Sequence, residues 1–289
     1  MLSEILYQRV FVFDGAMGTR LQAAGLPAGF PPDEWNLSHP NIVAGIHQSY
    51  VRAGSDIIQT NTFGANRLRL QRNDLEGKIT DINRQAVHLA RSIIEENTIL
   101  CASIGPLGDF IEPLGNLTRE KARDAFREQV DILQGEGITL FHLETFNSTV
   151  ESSIASEVIL KSGGEVIASF TFEPRGNGTF TTLMGETPGT IVSVFKDIPI
   201  TALGANCGTG IREMTQIVKI FRESYSGPIS CKPNAGLPRM ENDHVVYTES
   251  PEDFSSQLPL LLKSRVSIIG GCCGTDERYI RNIADVIHQ

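Results

Sequence analysis

Eight short apolar runs alternate with amphipathic stretches along 289 residues, with no linker between them. That alternation predicts an α/β protein, and two architectures satisfy it: an open doubly wound sheet or a closed barrel. The number of units, the length and the unbroken alternation favour a single (β/α)8 TIM barrel, with residues 1–289 as one domain. In such a barrel the chemistry gathers at the carboxyl ends of the strands.

The first run, 10–13, ends in Asp14-Gly15-Ala16-Met17-Gly18-Thr19. After a Pro/Gly-rich loop near 27–32, Ser38-His39-Pro40 opens a helix carrying Ile42, Ile46, Tyr50 and Val51 at helical spacing. Serine followed by proline suits a helix start. Strand two, 56–60, runs into Asn61-Thr62-Phe63-Gly64, and its helix is expected over 79–96. Strand three, 99–104, closes in Gly105-Pro106-Leu107-Gly108 before a helix at 118–134. Strand four, 138–143, ends at Glu144-Thr145-Phe146, and its helix, 148–161, is stopped by Gly163-Gly164. Strand five, 166–170, gives way to a polar loop and a shorter helix at 190–195. Strand six, 200–206, delivers Cys207 and a helix at 211–225. Strand seven, 228–232, leads into Pro233-Asn234-Ala235-Gly236-Leu237-Pro238 and, later, a helix at 251–263. Strand eight, from 266, ends in Gly270-Gly271-Cys272-Cys273-Gly274-Thr275, and a last helix at 276–287 closes the series.

Composition narrows the function. A formal net charge of -9, with no basic run, argues against nucleic acid or an anionic membrane as partner. No apolar run is long enough to span a membrane, and Met1-Leu2-Ser3-Glu4 lacks the basic start of a signal peptide. Five cysteines, an odd number with an adjacent pair, suit metal or thiol chemistry better than a disulfide framework. The expected location is the cytoplasm.

The strand-end rule gathers Asp14, Thr60, Thr62, Glu144, Cys207, Asn234, Cys272 and Cys273 on one rim. Glycines around Cys272 and Cys273 let both thiols be aimed at one point, and Cys207 brings a third from a similar turn. Three thiolates leave one tetrahedral position of a zinc ion open, as in catalytic sites. Against this stands the common fate of cysteine as a small core residue. Cys101 and Cys231, inside strands without glycine framing, are read that way. Asp14-Gly15 by itself signals only a turn. Glu144 is the stronger signal, because a carboxylate at an apolar strand end is rarely left unpaired. His142 reads as a satisfied barrel histidine. Lys232 keeps a Schiff-base, aldolase-like enzyme open as an alternative.

The turns Asp14 to Thr19, Thr60 to Asn66, Ile104-Gly105-Pro106, Glu144-Thr145-Phe146, Asn206-Cys207, Pro233 to Pro238 and Gly270 to Thr275 together resemble the homocysteine S-methyltransferases. The resemblance runs from about Val10 to the last helix, and seven such motifs in the family's order make it specific. Residues 34–40 and 64–68 look most like the homocysteine-binding module of the cobalamin-dependent methionine synthases. The resemblance implies a zinc-dependent barrel that methylates the homocysteine thiol to give methionine. Cys207, Cys272 and Cys273 would be the zinc ligands and catalytic residues. Asp14 and Glu144 would accept hydrogen bonds from the substrate ammonium, Gly15, Thr60 and Thr62 would hold its carboxylate, and Asn234 would be a further contact. The implied donor is methylcobalamin on a separate corrinoid protein, with S-methylmethionine or betaine bound directly as the alternative. The folate, cobalamin and reactivation modules of the synthase are absent from these residues, as is the C-terminal oligomerisation segment of the betaine-dependent enzymes. Asn147 and Ser148 also stand in a loop where the synthase module usually carries an isoleucine and an aspartate. A third class is a zinc- and homocysteine-binding subunit without turnover.

Overall fold

The computed structural model describes residues 2–241 and 244–288. Eight strands form one parallel sheet: β1 (Phe11–Val12), β2 (Ile57–Gln59), β3 (Ile99–Ile104), β4 (Leu140–Phe146), β5 (Glu165–Phe170), β6 (Ala202–Asn206), β7 (Ile229–Lys232) and β8 (Ile268–Ile269). Each pairs with the next, and β8 returns to β1. The cylinder closes between β1 and β2 at the Phe13–Ile57 bridge. There the Asp14 N–H donates to Ile57 O at 3.0 Å and the Asp56 N–H to Val12 O at 2.7 Å. This is the expected (β/α)8 barrel.

Eight helices ring the sheet: α1 (Pro40–Arg52), α2 (Ile79–Arg91), α3 (Arg119–Gly135), α4 (Thr149–Lys161), α5 (Pro188–Phe195), α6 (Ile211–Ser224), α7 (Pro251–Leu262) and α8 (Glu277–Ile287). Their starts follow capping chemistry. Thr118, Ser148 and Thr187 each accept a backbone N–H of the first turn, and Ser250 forms a capping box with Asp253.

A sheet covered on both faces needs apolar residues at both strand parities, so its strands read as continuous hydrophobic runs. One parity, including Val12, Ile58, Ala102, Phe141, Val166 and Leu203, joins the helices in the main core. The other forms a separate cluster of Phe11, Phe13, Ile57, Cys101, Leu140, Ile167, Ala202 and Ile268, which Leu2 and Leu6 also join. Cys101 and Cys231 are fully buried, as expected of core cysteines. Further along the strands, towards their carboxyl ends, the interior turns polar with Gln59, Ser103, His142, Ser169, Ser230 and Lys232, all buried. That change from oil to polar groups marks where the site lies.

Three details differ from expectation. α2 stops at Arg91 instead of 96, because Glu95 and Glu96 would add negative charge to the negative end of the helix dipole. α5 begins at Pro188, two residues before the expected start, since Thr187 supplies the cap. The polar loop after β5 folds as a hairpin, Glu173–Gly176 against Thr179–Thr181, and a second hairpin, Pro238–Glu241 against His244–Tyr247, follows β7.

Candidate active site

The three thiols expected from strands six and eight converge. The Sγ atoms of Cys207, Cys272 and Cys273 all lie within 4.8 Å of one another, and Cys207 and Cys273 are 3.8 Å apart. Thiolates around a tetrahedral zinc, at about 2.3 Å from the metal, stand about 3.8 Å apart, so the spacing fits such an ion.

Backbone strain aims these groups. Cys207 has a φ of 60°, a left-handed conformation rare outside glycine. Gly208 follows at φ 73° and packs so tightly on Phe172 O that no side chain fits. Across the barrel mouth, Thr145 is also left-handed at φ 62°, and the β4 register breaks between Leu143 and Phe146. Asn206 ties the two strained points together. Its Oδ1 accepts the Thr145 N–H at 2.8 Å, while its Nδ2 lies 2.8 Å from Thr145 Oγ1 and 3.8 Å from Cys272 Sγ.

The thiols hold their protons tightly when nothing balances them. For Cys272 the bond with Cys207 leads the upward shift, with burial adding to it. The bond with Cys272 lowers Cys207, but the bond with Cys273 and burial outweigh it and push the thiol up to about 12. For Cys273 the bond with Cys207 lowers, yet Cys272 and burial carry it to about 12 as well. Three such groups become thiolates together only where a cation offsets their charges.

Beneath the thiols lies a buried charge network. Lys232 Nζ donates to Asp14 Oδ1 at 2.8 Å and to Gln59 Oε1 at 3.3 Å, and sits 3.8 Å from the Phe13 ring centroid. The second Asp14 oxygen accepts the Gln59 N–H at 2.8 Å. Burial works against the Lys232 charge, but Asp14 and Glu144 outweigh it and raise its pKa, so it stays an ammonium. Glu144 Oε1 accepts from Gln59 Nε2 at 3.0 Å and from the Ser103 hydroxyl. His142 bonds Gln59 Oε1 at 3.0 Å and Ser169 Oγ at 2.9 Å. Burial lowers its pKa well below the usual value and keeps it neutral. It is the satisfied barrel histidine that the sequence suggested.

A cavity of about 320 Å³ joins these parts. Gly15, Thr60, Glu144, Cys207, Cys272 and Cys273 line it, so six of the expected residues meet there. Asp14, Thr62 and Asn234 stand behind the lining. Asp14 faces Lys232. Thr62 accepts the Thr60 hydroxyl at 2.6 Å and donates its own to Ser103 O at 2.7 Å. Asn234 Oδ1 is buried with no partner among the described residues, on a turn bonded to the cysteine loop through Ala235 N–H and Cys273 O at 3.0 Å. The loops around the cavity are locked to one another. Tyr50 of α1 donates to Ala16 O at 2.6 Å, and a Cβ on Gly15 would lie 2.7 Å from the Tyr50 ring. The Gly271 N–H donates to Asp14 O at 3.0 Å and joins the first turn to the last.

Gln59, Ser103, Lys232, Asn206 and Asp33 are the site groups that sequence reasoning leaves out or assigns elsewhere. Asp33 lines the cavity from the early loop, only 2% exposed, and accepts the Gly64 N–H at 2.9 Å. Burial, only partly offset by that bond, pushes its carboxyl up to about 6.

A (β/α)8 barrel whose carboxyl rim gathers three thiols and an acid around one cavity is a barrel protein with a trithiol site. Residues 11–287 match the family model described as homocysteine S-methyltransferase. The chain belongs to that family. It is 30% identical to methionine synthase of Mycobacterium leprae and 29% identical to that of Mycobacterium tuberculosis, with 99% of this chain aligned in each case. It spans about a quarter of the length of these relatives, 25% in both. Among solved structures, the metallated form of the homocysteine methyltransferase MmuM from Escherichia coli has the same fold. The TM-score is 0.79, the identity 21%, and 96% of each chain is covered.

Asp33 makes stability depend on pH. A carboxyl near 3.8 when unfolded and about 6 when folded binds its proton more tightly in the native state. Stability therefore falls as pH rises from about 4 to 6 and levels off above. Glu151, pushed up to about 7 mainly by burial, adds a similar slope up to that pH. Asp33→Asn is expected to remove its own share, on the order of 1–3 kcal/mol. Urea unfolding of both proteins from pH 4 to 8 measures it, and parallel curves would refute the assignment.

Proposed function

We propose that the chain binds zinc through Cys207, Cys272 and Cys273 and methylates the thiol of homocysteine to give methionine. The carrying observation is the convergence of three thiols and the Glu144 carboxylate on one small cavity. These three residues would hold the ion, which would supply the stabilisation that makes a bound thiol a thiolate at neutral pH. On this reading residues 1–289 act as one homocysteine-binding domain.

The chain's own groups then read the amino-acid end of the substrate. Glu144 Oε2, free of hydrogen bonds among the described residues, accepts from the substrate ammonium. Asp14 contributes one step removed, since its charge is balanced by Lys232 at 2.8 Å. On the cavity floor, two carboxylates and one ammonium leave one net negative charge for the substrate cation, with Asp33 apart on the loop side. The Gly15 backbone and Thr60 face the substrate carboxylate, and Thr62 orients Thr60 by accepting its hydroxyl. Asn234 remains an available acceptor at the thiol end. The Schiff-base alternative fares worse, because Lys232 is protonated and paired, and an ammonium has no lone pair with which to attack a carbonyl.

We assign the donor to methylcobalamin carried by a partner protein. Two observations support this: the likeness to methionine synthases, and exposed apolar side chains on two loops at the carboxyl side of the barrel. These are Phe30 in the early loop and Leu237, Met240, Val245 and Val246 beside or on the second hairpin. S-Methylmethionine or betaine bound directly is the alternative. No described helix is long and apolar enough to cross a membrane, and three free thiols suit the reducing cytoplasm, the location we propose.

Purified protein is expected to hold about one zinc per chain, and Ala at Cys207, Cys272 or Cys273 to abolish tight binding. Full zinc retention by all three variants ends the assignment. Glu144→Gln is expected to weaken homocysteine binding by on the order of 1–3 kcal/mol, the worth of a charge-assisted hydrogen bond, with zinc content unchanged. Calorimetry reads this, and undiminished affinity removes Glu144 from ammonium recognition. Incubating zinc-loaded protein and homocysteine with methylcobalamin, S-methylmethionine and betaine separately identifies the donor. Methionine from methylcobalamin alone is expected. Turnover with either small donor overturns the corrinoid assignment, and none with any donor favours a binding subunit.

A further inference from the structure

A second hollow, of about 290 Å³, opens between the loops that follow β3 and β4. Its walls are apolar, with Phe110, Ile111, Leu114, Val150 and Leu183 prominent. Three acids line it: Asp109 and Glu112 are exposed, and Asp109 pairs with Arg72, whereas Glu151 is buried, only 7% exposed. It occupies the third position of α4, from which an acid ordinarily reaches back to the helix cap. Here its Oε1 instead takes the Leu107 N–H at 2.7 Å. Among the described residues Oε2 has no hydrogen-bond partner and Glu151 has no ion pair. Arg69 acts on it only from a longer range, and Arg119, at the edge of the hollow, is exposed and screened by water. Burial pushes the carboxyl up to about 7, as expected of an acid short of a counter-charge.

The hollow is preformed. Its loop is closed by the Glu112 N–H to Leu117 O at 2.9 Å and the Leu117 N–H to Phe110 O at 3.3 Å. Arg72 ties the start of that loop through Gly108 O at 2.6 Å and Asp109 at 3.1 Å. Phe110, 55% exposed, offers an aromatic face beside the acid. A packed wall separates the hollow from the thiol cavity. The Gly105 N–H bonds Phe63 O at 2.9 Å, and a Cβ on Gly105 would lie 2.6 Å from the Phe63 ring. The two spaces share no lining residue.

We propose that this hollow binds a small organic cation with an apolar body, its charge on Glu151 and its alkyl groups against Phe110 and Leu114. Charge complementarity and the apolar lining select this class over anions, which the carboxylates repel, and over strongly hydrated metal ions, which need several oxygen ligands where only Glu151 of the three acids is buried. The site is distinct from the methyl-transfer cavity, and the proposal stands whether or not that reading holds.

Choline and its neutral isostere 3,3-dimethylbutan-1-ol test it, titrated into the full chain and followed by calorimetry or protein NMR. Choline is expected to saturate in the millimolar range and the alcohol to bind at least about five-fold more weakly. This comparison needs no variant. Glu151→Gln keeps the acceptor for the Leu107 N–H and is expected to reduce choline to the affinity of the alcohol. Glu144→Gln is expected to bind choline as before, and homocysteine not to displace it. No choline binding at tens of millimolar, equal binding of the two probes, an unaffected Glu151→Gln protein, or displacement by homocysteine would each overturn the proposal. Circular dichroism of the Glu151→Gln protein separates a lost contact from a lost fold.

Discussion

The Lys232 ammonium, 2% exposed, is balanced inside the barrel by Asp14, Gln59 and the face of Phe13, with Glu144 acting from further away. Burying a charge is costly unless it is paired and its hydrogen bonds are met. The barrel meets that demand by making its upper interior polar on nearly every strand. Gln59 shows how tight the accounting is. Its amide donates to Glu144, and its carbonyl accepts from both Lys232 and His142, so one side chain can adopt only one orientation. The floor of the site is therefore fixed before any ligand arrives.

Above that floor, rigidity takes the form of strain. Cys207 and Thr145 are both left-handed without being glycine, a conformation that costs on the order of 1–3 kcal/mol and persists only when neighbours enforce it. Asn206 is the enforcing group. It holds Thr145 through two hydrogen bonds and reaches Cys272 with its amide, so the bulge in β4 and the cysteine loop after β8 form one unit. Relaxing either strained residue would turn Glu144 or a thiol away from the cavity.

Much of this is legible in one dimension. Strand runs and glycine-framed turns mark the carboxyl rim, and the rim rule then brings Cys207, Cys272, Cys273 and Glu144 together from distant segments. What escapes the sequence is pairing across the barrel. Asp14 and Lys232 are 218 positions apart, and each alone suggests a different chemistry, a substrate carboxylate and a Schiff-base amine. Only their contact shows that they neutralise each other. Gln59 and Ser103 sit just inside the strand ends, where a polar residue in an apolar run was the available signal. Asp33 lies in a loop of prolines and glycines whose path no periodicity describes. Both hairpins are polar or irregular in pattern, and their pairing depends on the barrel ends that support them.

Charge bookkeeping links the two layers of the site. With the thiols protonated, the floor of the cavity carries Asp14 and Glu144 against Lys232, which leaves one negative charge there, while Asp33 lines the loop side with Arg69 acting on it. A divalent cation bound by three thiolates adds one more negative charge in sum, concentrated at the other end of the cavity. A zwitterionic thiol amino acid, on the proposed reading, meets these two poles separately. Its ammonium lies near the Glu144 oxygen that the network leaves free, and its sulfur lies near the cysteines. Like charges at both poles would repel a second anion, so on that reading the substrate carboxylate would be read by neutral donors. Gly15 and Thr60, which carry no charge and line the same cavity, are the groups available for that. On the proposed reading the buried lysine thus has an indirect effect on selectivity. By cancelling Asp14 it leaves Glu144 as the one unbalanced acid of the cavity floor.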